Sequence, residues 1–248
     1  MFCKQTSPTW PQLSESNYKK LFASPFLYLL LSALILLALN QFTDVDLVLA
    51  DYYFDFQTKH FKWKGTWFAQ QLMHIYVKDC IMLFGFALIS LVLADAVVNF
   101  YGMTNWLRTR LRFTAVAAVL VPTIISLLKQ QSTLHCPWDE VRYGGTAPYL
   151  RLLDAIPSSM QAGHCFPAGH ASTGLWLAAF CVFWLPHRPR MARSIFFSGL
   201  SVGFVLGWVQ QMRGAHFLSH TLWSMWIASA IIFIMLRVSQ SSLHSNQQ

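Results

Sequence analysis

Residues 80–101 read Cys80-Ile-Met-Leu-Phe-Gly-Phe-Ala-Leu-Ile-Ser-Leu-Val-Leu-Ala-Asp95-Ala-Val-Val-Asn-Phe-Tyr101, an apolar run with one acid and no base. A helix needs about 20 mainly apolar residues to cross the hydrocarbon layer of a bilayer, so this run is long enough to span one. Five further runs have the same character: Leu21–Phe42, Phe113–Leu128, Ala171–Leu185, Ile195–Met212 and Thr221–Leu236. The runs at 113 and 171 are short, and their edges are expected to extend into flanking residues. Pro122 removes a backbone donor inside the first of these two and is expected to kink it. Asp95 sits near one end of its run, which suits an arginine-paired structural role better than a functional one.

The composition agrees. Of 248 residues, 55% are hydrophobic and 11% charged, and the mean hydropathy is +0.41. A soluble domain carries roughly a quarter charged residues, so a soluble monomer is excluded, and the apolar and aromatic content excludes disorder. The sequence predicts an all-α integral membrane bundle of six transmembrane helices, a single domain over 1–248. The stretches 1–20 and 238–248 are read as cytoplasmic tails. The first run follows a polar stretch and is closed by no small-x-small site, so it is read as a retained helix and not a cleaved signal.

The net charge of +8 could suggest nucleic acid, but the basic residues cluster beside apolar runs. The stretches Asn105–Arg112 and His187–Arg193 hold six arginines between them, the bias expected of cytoplasmic loops. The opposite side then receives Thr43–Asp79, Lys129–Gly169 and the turn around Arg213–His220. The chemistry is expected there, facing outward, at the periplasmic surface of an inner membrane if the cell is a bacterium.

Three polar clusters lie at the outer ends of three runs. One begins at Lys129 and continues through His135-Cys136-Pro137-Trp138-Asp139-Glu140-Val141-Arg142. The second is Gly163-His164-Cys165-Phe166-Pro167-Ala168-Gly169-His170. The third is Gln210-Gln211-Met212-Arg213-Gly214-Ala215-His216-Phe217-Leu218-Ser219-His220. This set suits a phosphate ester. Arg213 and Arg142 offer guanidinium forks for phosphoryl oxygens, and Lys129 offers a point charge. Ala168, Gly169 and His170 open a helix whose first backbone N–H groups lack intrahelical partners. Two histidines can divide the work between nucleophile and acid.

With these motifs the sequence resembles the membrane-bound type 2 phosphatidic acid phosphatases (PAP2, or lipid phosphate phosphatases). That family carries Lys-x6-Arg-Pro, then Pro-Ser-Gly-His, then Ser-Arg-x5-His-x3-Asp. Here Lys129 is followed six residues later by Cys136-Pro137, the second motif reads Pro167-Ala168-Gly169-His170, and the third ends Gly214-Ala215-His216-Phe217-Leu218-Ser219-His220. The resemblance implies His216 as a phosphohistidine nucleophile and His170 as the acid for the leaving group. It also implies Lys129 and the Gly169 amide as ligands of the phosphoryl oxygens; Lys and Arg are expected to neutralise those oxygens with neither cofactor nor metal. The pattern departs from the family at Cys136 for Arg, Ala168 for Ser, Gln210 for Arg and His220 for Asp. Arg142 and Arg213 are expected to restore the charge, and His220, Asp139 or Glu140 to orient the nucleophile.

The expected function is therefore hydrolysis of a lipid-linked phosphate or polyprenyl diphosphate, with membrane lipids as surroundings and no nucleic-acid partner. A phosphotransferase, a catalytically degenerate lipid-phosphate binder and a metal-dependent hydrolase use the same residues. The last would draw on His135, Cys136, His164, Cys165, His170, His216 and His220. Among five cysteines, Cys3 is assigned inside, Cys80 to a helix end and Cys181 to a span, which leaves Cys136 and Cys165 together outside. A disulfide between them would close a loop of about 30 residues and contribute roughly 3–4 kcal/mol on the chain-entropy account.

Overall fold

The computed structural model describes residues 15–158 and 160–239. The chain runs through α1 (Glu15–Phe42), α2 (Val45–Tyr53), a small antiparallel hairpin of β1 (Phe54–Asp55) and β2 (His60–Phe61), and a π-helical stretch, Phe68–Val77, that passes directly into α3 (Lys78–Val98). It continues through α4 (Asn105–Gln130), a long loop with two 3-10 turns, and α5 (Gly169–Leu175) prolonged by a 3-10 stretch, Trp176–Trp184. The last helices are α6 (Pro189–Met212) and α7 (Leu218–Val238).

Among the described residues, four helices are long and apolar enough to cross a membrane: Phe68–Val98, Asn105–Gln130, Pro189–Met212 and Leu218–Val238. A fifth candidate exists if Phe26–Phe42 and Val45–Tyr53, bent by 67°, are taken as one span. Their surfaces suit lipid. In α3, Leu83, Phe86, Leu93 and Val97 are each more than half exposed, a density of large apolar side chains that water-soluble surfaces seldom carry.

The boundaries differ from the apolar runs in instructive ways. The second span begins at Phe68 and not at Cys80, because Gln70, His74 and Lys78 interrupt the apolar pattern without interrupting the helix. The arginine cluster at 105–112 is not a loop. Thr104 caps α4 by accepting from the Leu107 amide at 3.2 Å, so Arg108, Arg110 and Arg112 lie inside its first turns. Residues 15–20 are already helical, whereas 1–14 and 240–248, including Cys3 and most of both expected tails, lie outside the described residues.

The run at 171–185 becomes the buried centre of the bundle. Ala171, Leu175, Ala178, Ala179 and Val182 are fully buried, and Trp176 is 3% exposed. It is shorter than a standard span, yet seven α and nine 3-10 residues cover roughly 28 Å, close to the ~30 Å hydrocarbon layer. Helix α6 approaches it along Gly199 and Gly203. A Cβ on Gly199 would lie 2.3 Å from the Ala178 backbone nitrogen, and one on Gly203 2.3 Å from Leu175 Cδ2. Small residues four apart let two backbones meet, as is common between membrane helices.

At the opposite end from Lys129, Asp95 ties α3 to α4. It is 4% exposed, lies 3.1 Å from Arg108 Nε and 3.7 Å from Arg112, and accepts from the Phe100 amide. The acid in the apolar run is thus a paired structural group.

Candidate active site

The site is assembled at one end of the bundle from segments far apart in sequence. Helix α4 delivers Lys129 in its last turn, and α5 opens with Gly169 and His170. The turn between α6 and α7 carries Arg213 and His216, and His220 lies in the first turn of α7. Gly214 makes that turn feasible. Its φ is +75°, and a Cβ there would lie 2.3 Å from the Phe61 ring. The Gly214 carbonyl accepts from the Trp138 amide at 3.1 Å, which fastens the long loop to the turn. Asp46 of α2 fixes the start of α7: its Oδ1 accepts from the Ser219 amide at 2.9 Å, and Asn40 donates to its Oδ2 at 3.3 Å. An acid at a helix N-terminus satisfies a free amide and matches the dipole.

Four imidazoles follow one another across this end. Ring centroids are 4.4 Å apart for His74 and His170, 6.4 Å for His170 and His216, and 5.8 Å for His216 and His220. His216 is 2% exposed. Burial, and then the neighbouring His220, Lys129 and His170, hold its ring well below the usual imidazole range, so it is neutral at pH 7, as a nucleophile requires. The His170 and His216 ring centres stand 6.4 Å apart, so the two imidazoles face one site without bonding to each other.

Lysine and arginine surround the row. Lys129 leans over Gly169, where a Cβ would stand 3.6 Å from its Cδ and 3.9 Å from its Nζ. Arg213, 6% exposed, donates to Gln210 Oε1 at 2.7 Å and to Gln70 Oε1, and Gln210 in turn meets His74 Nδ1 at 3.2 Å. A cavity of about 410 Å³ begins at Lys78, Lys129, Gly169 and His170 and continues between α3, α4 and α5 past Met82, Phe86, Ile89, Pro122 and Trp176. It is polar at one end and apolar along its length.

Not every residue singled out from the sequence reaches this place. Arg142 lies instead on Asp51, with Nε to Oδ1 at 2.8 Å and Nη2 to Oδ2 at 2.5 Å, while Tyr143 donates to the same carboxylate. Ala168 is fully buried, and its amide is already bonded to the His220 carbonyl at 3.1 Å. Neither Asp139 nor Glu140 hydrogen-bonds His216 among the described residues. Burial pushes the Glu140 carboxyl up to about 9, with Asp46 and Asp139 adding to the effect, so it is a neutral group at pH 7. His220 makes no hydrogen bond to the His216 ring, and its Nδ1 has no partner among the described residues.

Cys136 and Cys165 are joined in a disulfide, with Cα atoms 5.3 Å apart. Their sulfurs and a His216 nitrogen lie within 4.8 Å of one another, a cation-like cluster. The disulfide takes both thiolates out of it and leaves one imidazole, too few ligands for a zinc-type site. His135 is turned to the Gln161 carbonyl at 3.0 Å, and His164 is exposed.

Gln70, His74 and Lys78 lie outside the apolar runs and carry no motif of their own. Their spacing of four places them along one helical face, a signal available in the sequence. π-helical turns also recur at functional sites.

A family model described as PAP2 superfamily matches residues 110–243, more than half of the chain. The chain belongs to the PAP2 superfamily. No curated protein and no solved structure matches it. PAP2 membership implies a phosphatase, and the apolar helices make it a multi-pass membrane protein. The matched residues include Lys129, Pro167–His170 and Gly214–His220, so all three polar clusters fall inside the PAP2 region. Gln210, at the position of the PAP2 arginine, binds the guanidinium of Arg213, so a positive charge returns three residues later.

Proposed function

We propose that this protein removes a phosphoryl group from a lipid-linked phosphate or diphosphate through a phosphohistidine on His216, without a divalent metal. The observation that carries the reading is the cavity. Its polar end gathers Lys129, Gly169, His170 and Lys78, and its apolar length runs between membrane-facing helices, so a headgroup fits beside His170, whose ring centre is 6.4 Å from that of His216, while its chain lies against Phe86, Pro122 and Trp176.

In the first step a His216 ring nitrogen attacks phosphorus. The bond from phosphorus to the leaving oxygen breaks, and His170 gives that oxygen its proton. In the second step water attacks the phosphohistidine, His170 takes the water's proton, and inorganic phosphate leaves with the His216 ring restored. Lys129 and the Gly169 amide hold the phosphoryl oxygens. Arg213, held by Gln210 and Gln70 beside His74, stabilises the charge that builds on them. A second lipid in place of water would make the same intermediate a phosphotransfer step. Six crossings are part of this proposal, with the bent α1–α2 pair and the α5–Trp184 stretch completing the four full-length spans and the site facing outward.

The deciding experiment is phosphoenzyme trapping with labelled lipid phosphate and purified protein in mixed micelles. Label is expected on His216, lost in His216→Ala, and unchanged by EDTA. A fully active His216→Ala variant, or activity abolished by EDTA and restored by zinc or manganese, would sink the mechanism.

A further inference from the structure

The nucleophile of a phosphohistidine mechanism needs one ring nitrogen free for attack and the other tied down as an N–H. A buried carboxylate is the usual tie, because it accepts a hydrogen bond and selects the tautomer. Here the residue four places after His216 is His220. Its ring centre is 5.8 Å away with no hydrogen bond between the two, and Asp139 and Glu140 are not bonded to His216 either. What does reach His216 Nδ1 is Cys165 Sγ, at 3.4 Å.

We propose that Cys165, locked by its disulfide to Cys136, is the positioning residue that orients His216 and leaves Nε2 free to attack phosphorus. This rests on His216 being the nucleophile. A disulfide sulfur carries lone pairs and no hydrogen, so the contact can be made in one sense only, from Nδ1–H to sulfur. A free thiol has a hydrogen to place, either on Nδ1 or on the Ala215 carbonyl, which lies 3.3 Å from the same sulfur. With the thiol donating to Nδ1, the proton moves to Nε2 and the attacking lone pair is gone.

The bond also fixes where the sulfur stands. Cys165 is fully buried, and its amide donates to the Leu134 carbonyl at 3.0 Å, so the loop on either side of the disulfide is paired to itself. The His216 side is held by the Gly214 turn and its bond from Trp138, two residues beyond Cys136. The disulfide therefore joins the two walls between which the nucleophile's ring is set.

The test compares oxidised wild-type protein, the same protein fully reduced as judged by mass, and Cys136→Ala. Rates of phosphoenzyme formation and the KM for a lipid phosphate are measured for each. The expected result is a loss of about 10–100-fold in phosphoenzyme formation on reduction or substitution with KM unchanged, the scale of a misoriented reacting group. Methylthiolation of Cys165 in Cys136→Ala rebuilds a sulfur without hydrogen but no cross-link, and should recover most of that loss. If Cys136→Ala does not fold, the comparison of oxidised with reduced wild type decides by itself. Unchanged rates after complete reduction would overturn the proposal, as would a rise in KM at constant phosphoenzyme rate or no recovery from a verified methylthio group. Absence of any phosphohistidine in the oxidised wild type would instead refute the underlying mechanism.

Discussion

Gly169→Ala separates the phosphate site from the fold that carries it. The φ of Gly169 lies outside the left-handed region, and an added Cβ would meet Lys129 Cδ at 3.6 Å and Nζ at 3.9 Å, ordinary contact distances. No backbone atom is in its way, and alanine is the better helix former by up to about 1 kcal/mol. The variant should therefore insert and unfold like wild type. The methyl group would nevertheless occupy the space between the Lys129 ammonium and the Gly169 amide, where the phosphoryl oxygens are proposed to sit. Displacing them from one donor should lower kcat/KM by about 10²-fold, or roughly 2.7 kcal/mol of transition-state stabilisation. Phosphate release from a lipid phosphate, read beside thermal unfolding of the same preparation, tests both halves. Wild-type kcat/KM in a stable Gly169→Ala protein would refute the placement of the phosphate. Lost activity with an equally lowered unfolding temperature would refute the claim that the site alone was touched.

Arg213→Ala should lower turnover by at least about 10²-fold, the scale of one lost charge-stabilising donor. Arg142→Ala, which loses only a half-exposed pair with Asp51, should stay within a few-fold of wild type; assays of both variants with the reverse order would reassign the phosphate arginine. Glu140 should make stability pH-dependent. Because its folded value of about 9 lies above its ordinary 4.5, its contribution is complete below pH 4.5 and is lost as the pH rises toward 9. Glu140→Gln should flatten that decline, seen as a melting-temperature advantage over wild type that grows from about pH 5 to about pH 9. Gly199→Ala puts a methyl 2.3 Å from the Ala178 backbone nitrogen, which cannot step aside as a side chain could, and should destabilise by about 1–3 kcal/mol in thermal or denaturant unfolding.

Much of the bundle was legible in the sequence because lipid imposes a simple rule on it: long apolar runs become helices. The rule fails where a helix has a polar face directed at a site, which is why the apolar run starts at Cys80 although the helix starts at Phe68. The motif histidines were legible because their spacing sets them at helix ends. Long-range pairings were not. Nothing local in the sequence shows that Arg142 is claimed by Asp51, or that Asp46 travels from α2 to cap α7 beside His220. The pairing of Arg213 with Gln210 was half legible. The missing charge could be located three residues on, but the amide bridge through Gln70 and His74 depends on the fold.

Asp95 grips Arg108 and Arg112 at one end of the α3–α4 hairpin, while Lys78 and Lys129 flank the cavity mouth at the other. The two helices are therefore built like tongs riveted at the base. From Arg112 to Lys129 the arm is about 25 Å long at ~1.5 Å per residue, so a splay of about 5° at the rivet swings Lys129 by roughly 2 Å. Motion of that size is negligible among the arginines and comparable with a phosphoryl bond length at the mouth. An ion pair at the far end of the hairpin is thereby geometrically coupled to the spacing of Lys78 and Lys129 at the cavity mouth.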